Sequence, residues 1–224
     1  MRLWGRLGTG LLALCFLQSA APSYGQLAVT GAATAPVAPG LGHKFVLFGT
    51  AQDTQDPQNV YNDVISVDTA TAPTFGGAER KLGVKIDYLT DQIQIKYYFV
   101  APHTCGVGTP RIFLTIDTDG DGKSNGNAFG YIGAPPEFGP CATNTWRFED
   151  LTDMETRWDL TQFGGAFYNT WQEVVAFFDT LYPNHTVLTG GVVDDTSNPV
   201  VGRVYFDLFT MGNRTLENRE DTVR

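Results

Sequence analysis

Between residues 117 and 127 the chain reads Asp117-Thr118-Asp119-Gly120-Asp121-Gly122-Lys123-Ser124-Asn125-Gly126-Asn127. Carboxylates at every second position of a turning segment can bring their oxygens round one hard cation, and Gly122 permits the sharp turn that this needs. Calcium is the natural occupant, because it takes about six to eight oxygen ligands in loose geometry. No His or Cys stands close in sequence, which argues against zinc. The expected ligands are the side chains of Asp117, Asp119 and Asp121 and the backbone carbonyl of Lys123, with Asn125 or Asn127 as later donors. The competing reading is an Asp-Gly turn between two strands that holds no metal.

The three acidic positions and the glycine resemble the calcium loops of EF-hand and dockerin proteins, over this loop alone. In the EF-hand the twelfth position supplies a bidentate glutamate, and here that position is Ala128. A strand-like run precedes the loop and Phe129-Gly130-Tyr131-Ile132-Gly133 follows it, so a structural ion is expected rather than a helix-loop-helix sensor. Glu137 or a carboxylate distant in sequence would complete the shell. Near the carboxyl end, Arg203-Val204-Tyr205-Phe206-Asp207-Leu208-Phe209 resembles the closing strand of secreted carbohydrate-binding jelly-roll modules. In many of those an Asp on the last strand reaches a second structural calcium, which makes Asp207 a candidate ligand by resemblance. The strand Ile112–Ile116 leading into the Asp-rich loop is similar to segments of secreted bacterial β-sandwich proteins.

Signals for catalysis are weak. His43, His103 and His185 are far apart in sequence, and the chain has neither a Gly-x-Ser-x-Gly elbow nor a phosphate-cradling loop. Glu149, Asp150, Asp153, Glu155 and Asp159 could include the two carboxyl groups that glycoside cleavage needs, although such a run more often marks a solvated acidic turn region. Trp146, Trp158, Tyr97, Tyr98 and Tyr131 could each offer a ring to the C–H face of a sugar. Trp146 alternates with Phe148 and is expected to point inward, which leaves Trp158 and Tyr131 as the candidate ligand contacts. Asn184-His185-Thr186 and Asn213-Arg214-Thr215 match glycosylation acceptors.

The elements that must position these residues are mostly strands. Leu82, Val84, Ile86 and Tyr88 alternate with Lys81, Gly83, Lys85 and Asp87; Ile93, Ile95, Tyr97 and Phe99 repeat the pattern, and Ile112, Leu114 and Ile116 begin a third run. Further strands are expected at Phe45–Phe48, Val60–Val67, Thr145–Phe148, Val187–Val193 and Val201–Thr210, with Val204, Phe206 and Leu208 on one face of the last. Clusters of Gly, Pro, Asn and Asp separate them, which favours an all-β, antiparallel, jelly-roll-like sandwich over a parallel α/β sheet. One segment changes period. Trp171, Val174, Val175, Phe178 and Leu181 fall at helical spacing, with Thr170 and Glu173 as a capping box and Pro183 as the stop.

The amino terminus gives the compartment. Arg2 and Arg6, the apolar run of 11 residues Leu7–Leu17, and the small residues from Ser19 to Gly25 have the order of a cleaved secretory signal, and the run is short of the roughly 20 residues that span a bilayer. The expected organisation is a signal peptide at 1–25, an Ala/Pro/Gly-rich arm at 26–43, a β-sandwich domain at 44–212 and a polar tail at 213–224. Without Arg2 and Arg6 the mature chain carries 13 basic against 24 acidic residues, a formal charge of −11, which should repel nucleic acid and anionic membrane. Cleavage also removes Cys15, so Cys105 and Cys141 are expected to pair outside the cytoplasm. Together these features imply a secreted or periplasmic, non-catalytic binding module with a structural calcium, its ligand a glycan or a cell-surface component. A structural or matrix protein and a small polysaccharide-active enzyme are the alternatives.

Overall fold

Alternation decides most of the architecture. In the segment Ile93–Phe99, Ile93, Ile95, Tyr97 and Phe99 enter the core while Gln94, Lys96 and Tyr98 face the other way. The computed structural model describes residues 44–106, 108–136, 138–197, 200–217 and 222–223, all within a unit that runs Ala38–Arg224. The expected signal peptide and arm, His43 and Glu137 lie outside the described residues.

The strands in chain order are β1 (Phe45–Gly49), β2 (Gln52–Gln55), β3 (Asp63–Asp68), β4 (Phe75–Val84), β5 (Ile93–Phe99), β6 (Arg111–Asp117), β7 (Gly126–Tyr131), β8 (Arg147–Asp150), β9 (Trp158–Asp159), β10 (Thr186–Asp195), β11 (Arg203–Met211), β12 (Thr215–Leu216) and β13 (Thr222–Val223). They form two sheets, ordered β13-β1-β4-β10-β6-β7-β9 and β2-β3-β11-β5-β8, with β12 beside β11. Pairing between these strands is antiparallel except where β13 runs parallel to β1. The chain is therefore an all-β sandwich. The last two long strands, β10 and β11, enter the middle of their sheets, so each sheet closes only when residues more than 100 positions apart meet. β12 and β13 arise in the segment expected as a polar tail.

The core joins the inward faces of both sheets: Ile112, Leu114 and Ile116 of β6 face the same interior as Ile95 and Phe99 of β5 and Val204, Phe206 and Phe209 of β11. Two expectations are corrected here. The alternation that ran to Tyr88 stops at Val84, because Gly83 adopts a positive φ of 71° and the chain then makes a short 3-10 turn at Asp87–Leu89, leaving Tyr88 exposed. On β11, Leu208 does not share a face with Phe206. A register shift between Asp207 and Thr210, with Leu208 itself at a φ of 45°, turns Leu208 to solvent and sends Phe209 inward.

Helix α1 (Trp171–Leu181) forms as its period implies, and its capping box is present: the Thr170 hydroxyl accepts from Glu173 N–H and the Glu173 carboxylate accepts from Thr170 N–H. Trp171, Val174 and Phe178 are buried, Trp171 against Trp158 and Phe178 against Phe163. Leu181, expected on the same stripe, is exposed at the end of the helix. His185 then fixes the helix exit. Its Nδ1 donates to the Tyr182 carbonyl and its Nε2 accepts from Ile86 N–H, so one ring ties α1 to the turn after β4.

Candidate metal centre and ring surface

The Asp-rich loop is the connection between β6 and β7, two antiparallel neighbours paired from Arg111–Tyr131 to Ile116–Gly126. Asp117 is the last residue of β6 and is buried, whereas Asp119 and Asp121 are exposed. One carboxylate oxygen from each of the three lies within 4.8 Å of the other two. The loop organises its own carboxylates through backbone donors. Asp117 Oδ1 accepts from Asp119 N–H (3.1 Å) and Gly120 N–H (2.7 Å), and its Oδ2 accepts from Gly122 N–H (2.8 Å). Burial disfavours the charge on Asp117, but these backbone donors outweigh it and hold the carboxyl below the ordinary aspartate range. Asp119 accepts from Asp121 N–H and Asp121 from Lys123 N–H, each at Oδ1. Gly120 and Gly122 carry φ of 82° and 79°, the left-handed turns that fold this ladder back on itself.

The later expected ligands divide. Asn125 stays with the loop, its Oδ1 accepting from Thr118 N–H at 2.6 Å and closing the turn. Asn127 belongs to the β6–β7 ladder instead: it stands opposite Thr115, accepts from the Thr115 hydroxyl at 2.9 Å and donates its N–H to Gln162. Lys123 is exposed, with its ammonium 3.3 Å from Asp121 Oδ2. Asp207 lies on the other sheet, away from this loop. It is buried and paired with Lys96 at 2.8 Å, with Asn62 Nδ2 donating to the same oxygen, so an ammonium already neutralises it.

Cys105 and Cys141 are joined in a disulfide with a Cα–Cα distance of 5.2 Å, closing the segment that contains β6, the loop and β7.

Neither ring expected to contact a ligand is exposed. Trp158 is fully buried, stacked against Trp171 with its indole N–H donated to the Leu151 carbonyl, and Tyr131 is buried with its hydroxyl on Asp159. Trp146 and Phe148, expected inward, lie on the outer side of the second sheet. Phe148 is exposed there, and the half-buried Trp146 covers Tyr98 and Lys96, the latter 4.5 Å from its ring centroid. The exposed rings near Tyr131 are Phe167 and Tyr168, at 50% and 42% exposure. Phe167 rests on Tyr131 (5.6 Å between centroids), Tyr168 rests on Phe138 (6.0 Å), and the two buried rings touch each other at 4.9 Å. Arg157 packs over Tyr168 at 5.3 Å, its Nη1 held by the carbonyls of Met154, Glu155 and Thr156. Two adjacent aromatics in Gly164-Gly165-Ala166-Phe167-Tyr168-Asn169 were the available signal, since a turn of that composition rarely buries both.

The acidic run 149–159 does not form one cluster. Asp150 and Asp153 cap their own turns through Thr152 and Thr156, Glu155 is exposed, and Asp159 accepts from Tyr131 and Thr161. Glu149 differs. It is half-buried, accepts from Gly133 N–H and the Tyr97 hydroxyl, and burial pushes it up to about 7, reinforced by the charges of Asp153 and Glu155. Burial and Glu149 in turn raise the Tyr97 phenol.

His103 and Asp194 form a second unforeseen pair. Both are fully buried, with His103 Nε2 at 2.9 Å from Asp194 Oδ2 and His103 Nδ1 at 2.6 Å from the Val200 carbonyl. The Thr109 hydroxyl donates to the other Asp194 oxygen. Burial alone would lower the imidazole, but the hydrogen bond and charge of Asp194 outweigh it; burial raises the Asp194 carboxyl. Both shifts have the same meaning: the pair keeps its shared proton. Because neither side chain reaches solvent, the dyad cannot meet a substrate.

No family model, curated protein or solved structure matches this chain.

Proposed function

We propose that this chain is an exported, non-catalytic binding module, braced by a structural calcium in the β6–β7 loop, whose ligand is a glycan or another cell-surface component. The observation that carries the binding reading is the Phe167–Tyr168 pair, two half-exposed rings seated on the buried rings of Tyr131 and Phe138 and flanked by Arg157. Rings backed by buried rings lose little freedom on binding, and they present flat apolar faces of the kind that pack on the C–H face of a pyranose. The calcium reading rests on the convergence of Asp117, Asp119 and Asp121. Asp121 and Asp119 keep solvent access for an entering ion, and the affinity suited to extracellular modules is about 10⁻⁴ to 10⁻³ M.

The test is a glycan array followed by calorimetry on the mature protein in millimolar calcium, with Tyr168→Ala and Phe167→Ala as controls. Saturable binding that either substitution weakens by about tenfold or more supports the reading. Binding indifferent to both rings, or to no glycan and no cell-surface extract, defeats it.

A polysaccharide-active enzyme is the second reading, favoured by Glu149 alone: a carboxyl near pKa 7 can donate a proton at neutral pH. Polysaccharide cleavage abolished by Glu149→Gln would replace the first reading with this one.

A further inference from the structure

β4 sends an arginine into the sandwich. Arg80 stands between Ala78 and Leu82 on the inward face, is 4% exposed, and crosses to the second sheet, where its Nη1 donates to the Met211 carbonyl at 2.7 Å. Its Nη2 donates to Asn213 Oδ1 at 3.2 Å, and its Nε–H has no partner. Among the described residues no carboxylate pairs with it. The adjacent Glu79 is on the opposite face of β4, where the Lys81 charge acts on it. Burial disfavours the guanidinium and the charge of Arg214 adds to that, with Tyr88 acting the other way.

Apart from these neutral acceptors the guanidinium has only the face of Phe45, 5.9 Å from its ring centroid; a buried cation without a carboxylate is costly, and the cost falls when an anion reaches it. Arg80 lines a cleft of about 130 Å³ together with Leu82, Tyr88, Gly212 and Asn213. Gly212 keeps that cleft open: at its φ of 65°, a Cβ would sit 3.3 Å from Leu82 and 4.0 Å from Arg80 Nη1.

We propose that this cleft, which Arg80 lines, is a binding site for a carboxylate-bearing ligand, received by the guanidinium hydrogens that Met211 and Asn213 leave free. A carboxylate matches the planar fork and supplies the single negative charge that the buried cation lacks, whereas a phosphate dianion would bring a second charge to a chain already carrying a formal −9. Tyr88, 47% exposed at the cleft, offers a ring to whatever frame bears the carboxylate. The source is a free small acid or a uronate of an acidic polysaccharide. The site holds without the calcium loop and without the Phe167–Tyr168 surface, so it fails or survives separately from the proposed function.

The experiment is amide NMR of the mature protein titrated with acetate, galacturonate and galactose. Saturable shifts at Gly212, Asn213 and Arg80 with the two acids and not with galactose are expected. Galacturonate binding tighter than acetate, with the gain lost in Tyr88→Ala, assigns the uronate source; equal binding assigns the free acid. Because Arg80→Gln threatens the fold, the decisive variant is Asn213→Asp at an exposed position, which places an internal carboxylate against the guanidinium. It should weaken exogenous acid by about tenfold or more and raise the melting temperature. Acid binding undiminished in Asn213→Asp, shifts located elsewhere, or galactose acting as well as galacturonate overturns the proposal.

Discussion

Two acidic sites in this molecule solve opposite problems. At Asp194 the carboxyl is sealed from water and shares a proton with a partner of its own, the His103 imidazole, with Thr109 and Val200 satisfying the remaining groups. At Asp117, Asp119 and Asp121 three carboxylates converge at the sheet end with backbone N–H donors and one exposed ammonium for company. A site that closes its own charge balance acts as structure. One that gathers like charges within 4.8 Å would, on the proposed calcium reading, leave a balance for an outside ion to close.

The contrast is broken most directly at the sealed pair. Asp194→Ala leaves an imidazole buried without its counter-charge and a Thr109 hydroxyl without its acceptor, so urea denaturation should show a loss of about 3 to 5 kcal/mol. The pair also gives stability a pH slope. His103 has a folded pKa above its ordinary 6.5, so the native state holds a proton that the unfolded chain releases. Its contribution is fully present below pH 6.5 and declines as pH rises through the raised value. In Asp194→Asn that decline should flatten. An unchanged slope would move the titration to another group.

Glu149 lies between the two extremes, half-buried and given hydrogen-bond donors in place of a cation. With its folded pKa raised from 4.5 to about 7, it favours the native state below pH 4.5, and that advantage is lost as pH rises through 7. Glu149→Gln keeps an acceptor for Gly133 N–H and removes the charge. Thermal melts should show it stabilised by about 1 to 3 kcal/mol at pH 8 and little changed at pH 4. Equal effects at both values would mean that packing, not charge, governs the position.

How far the residues announced this arrangement depends on whether one strand sufficed to read it. The inward faces of β5 and β6, the period and capping box of α1 and the pairing of Cys105 with Cys141 each follow from local pattern or from a two-member choice, and the structure has all of them. The Asp-rich loop was legible for the same reason, as its oxygens come from consecutive odd positions. What failed needed partners far along the chain. Tyr131 looked like an exposed ring until Phe167, 36 positions later, covered it. His103 and Asp194 are 91 residues apart, and neither neighbourhood advertises the other. Leu208 and Phe209 exchanged faces because a bulge shifts period-two alternation by one, which a hydrophobic pattern cannot register in advance. Arg80 was within reach: it occupies an inward place in the alternation of β4, where a cation must be explained.

The smallest expected effect is the most discriminating, because it changes sign. Asp121 is exposed, and its substitution by Asn removes one of three crowded charges while preserving the Oδ1 that accepts Lys123 N–H. In a chelator, relief of like-charge repulsion should leave Asp121→Asn as stable as the parent or more stable by about 0.5 kcal/mol. In calcium at about ten times its dissociation constant, the parent gains about 1.4 kcal/mol that the variant lacks, which in a domain of this size is a melting shift of about 3 to 6 °C. The order of the two melting curves should therefore reverse when calcium is added. The equivalent reversal cannot occur at Asp194, where no external ion can replace His103, so a calcium-dependent inversion confined to the loop would establish that the two acidic sites differ in where their counter-charge comes from. Curves that keep their order in both conditions would reduce the loop to a turn whose carboxylates are satisfied by backbone donors alone.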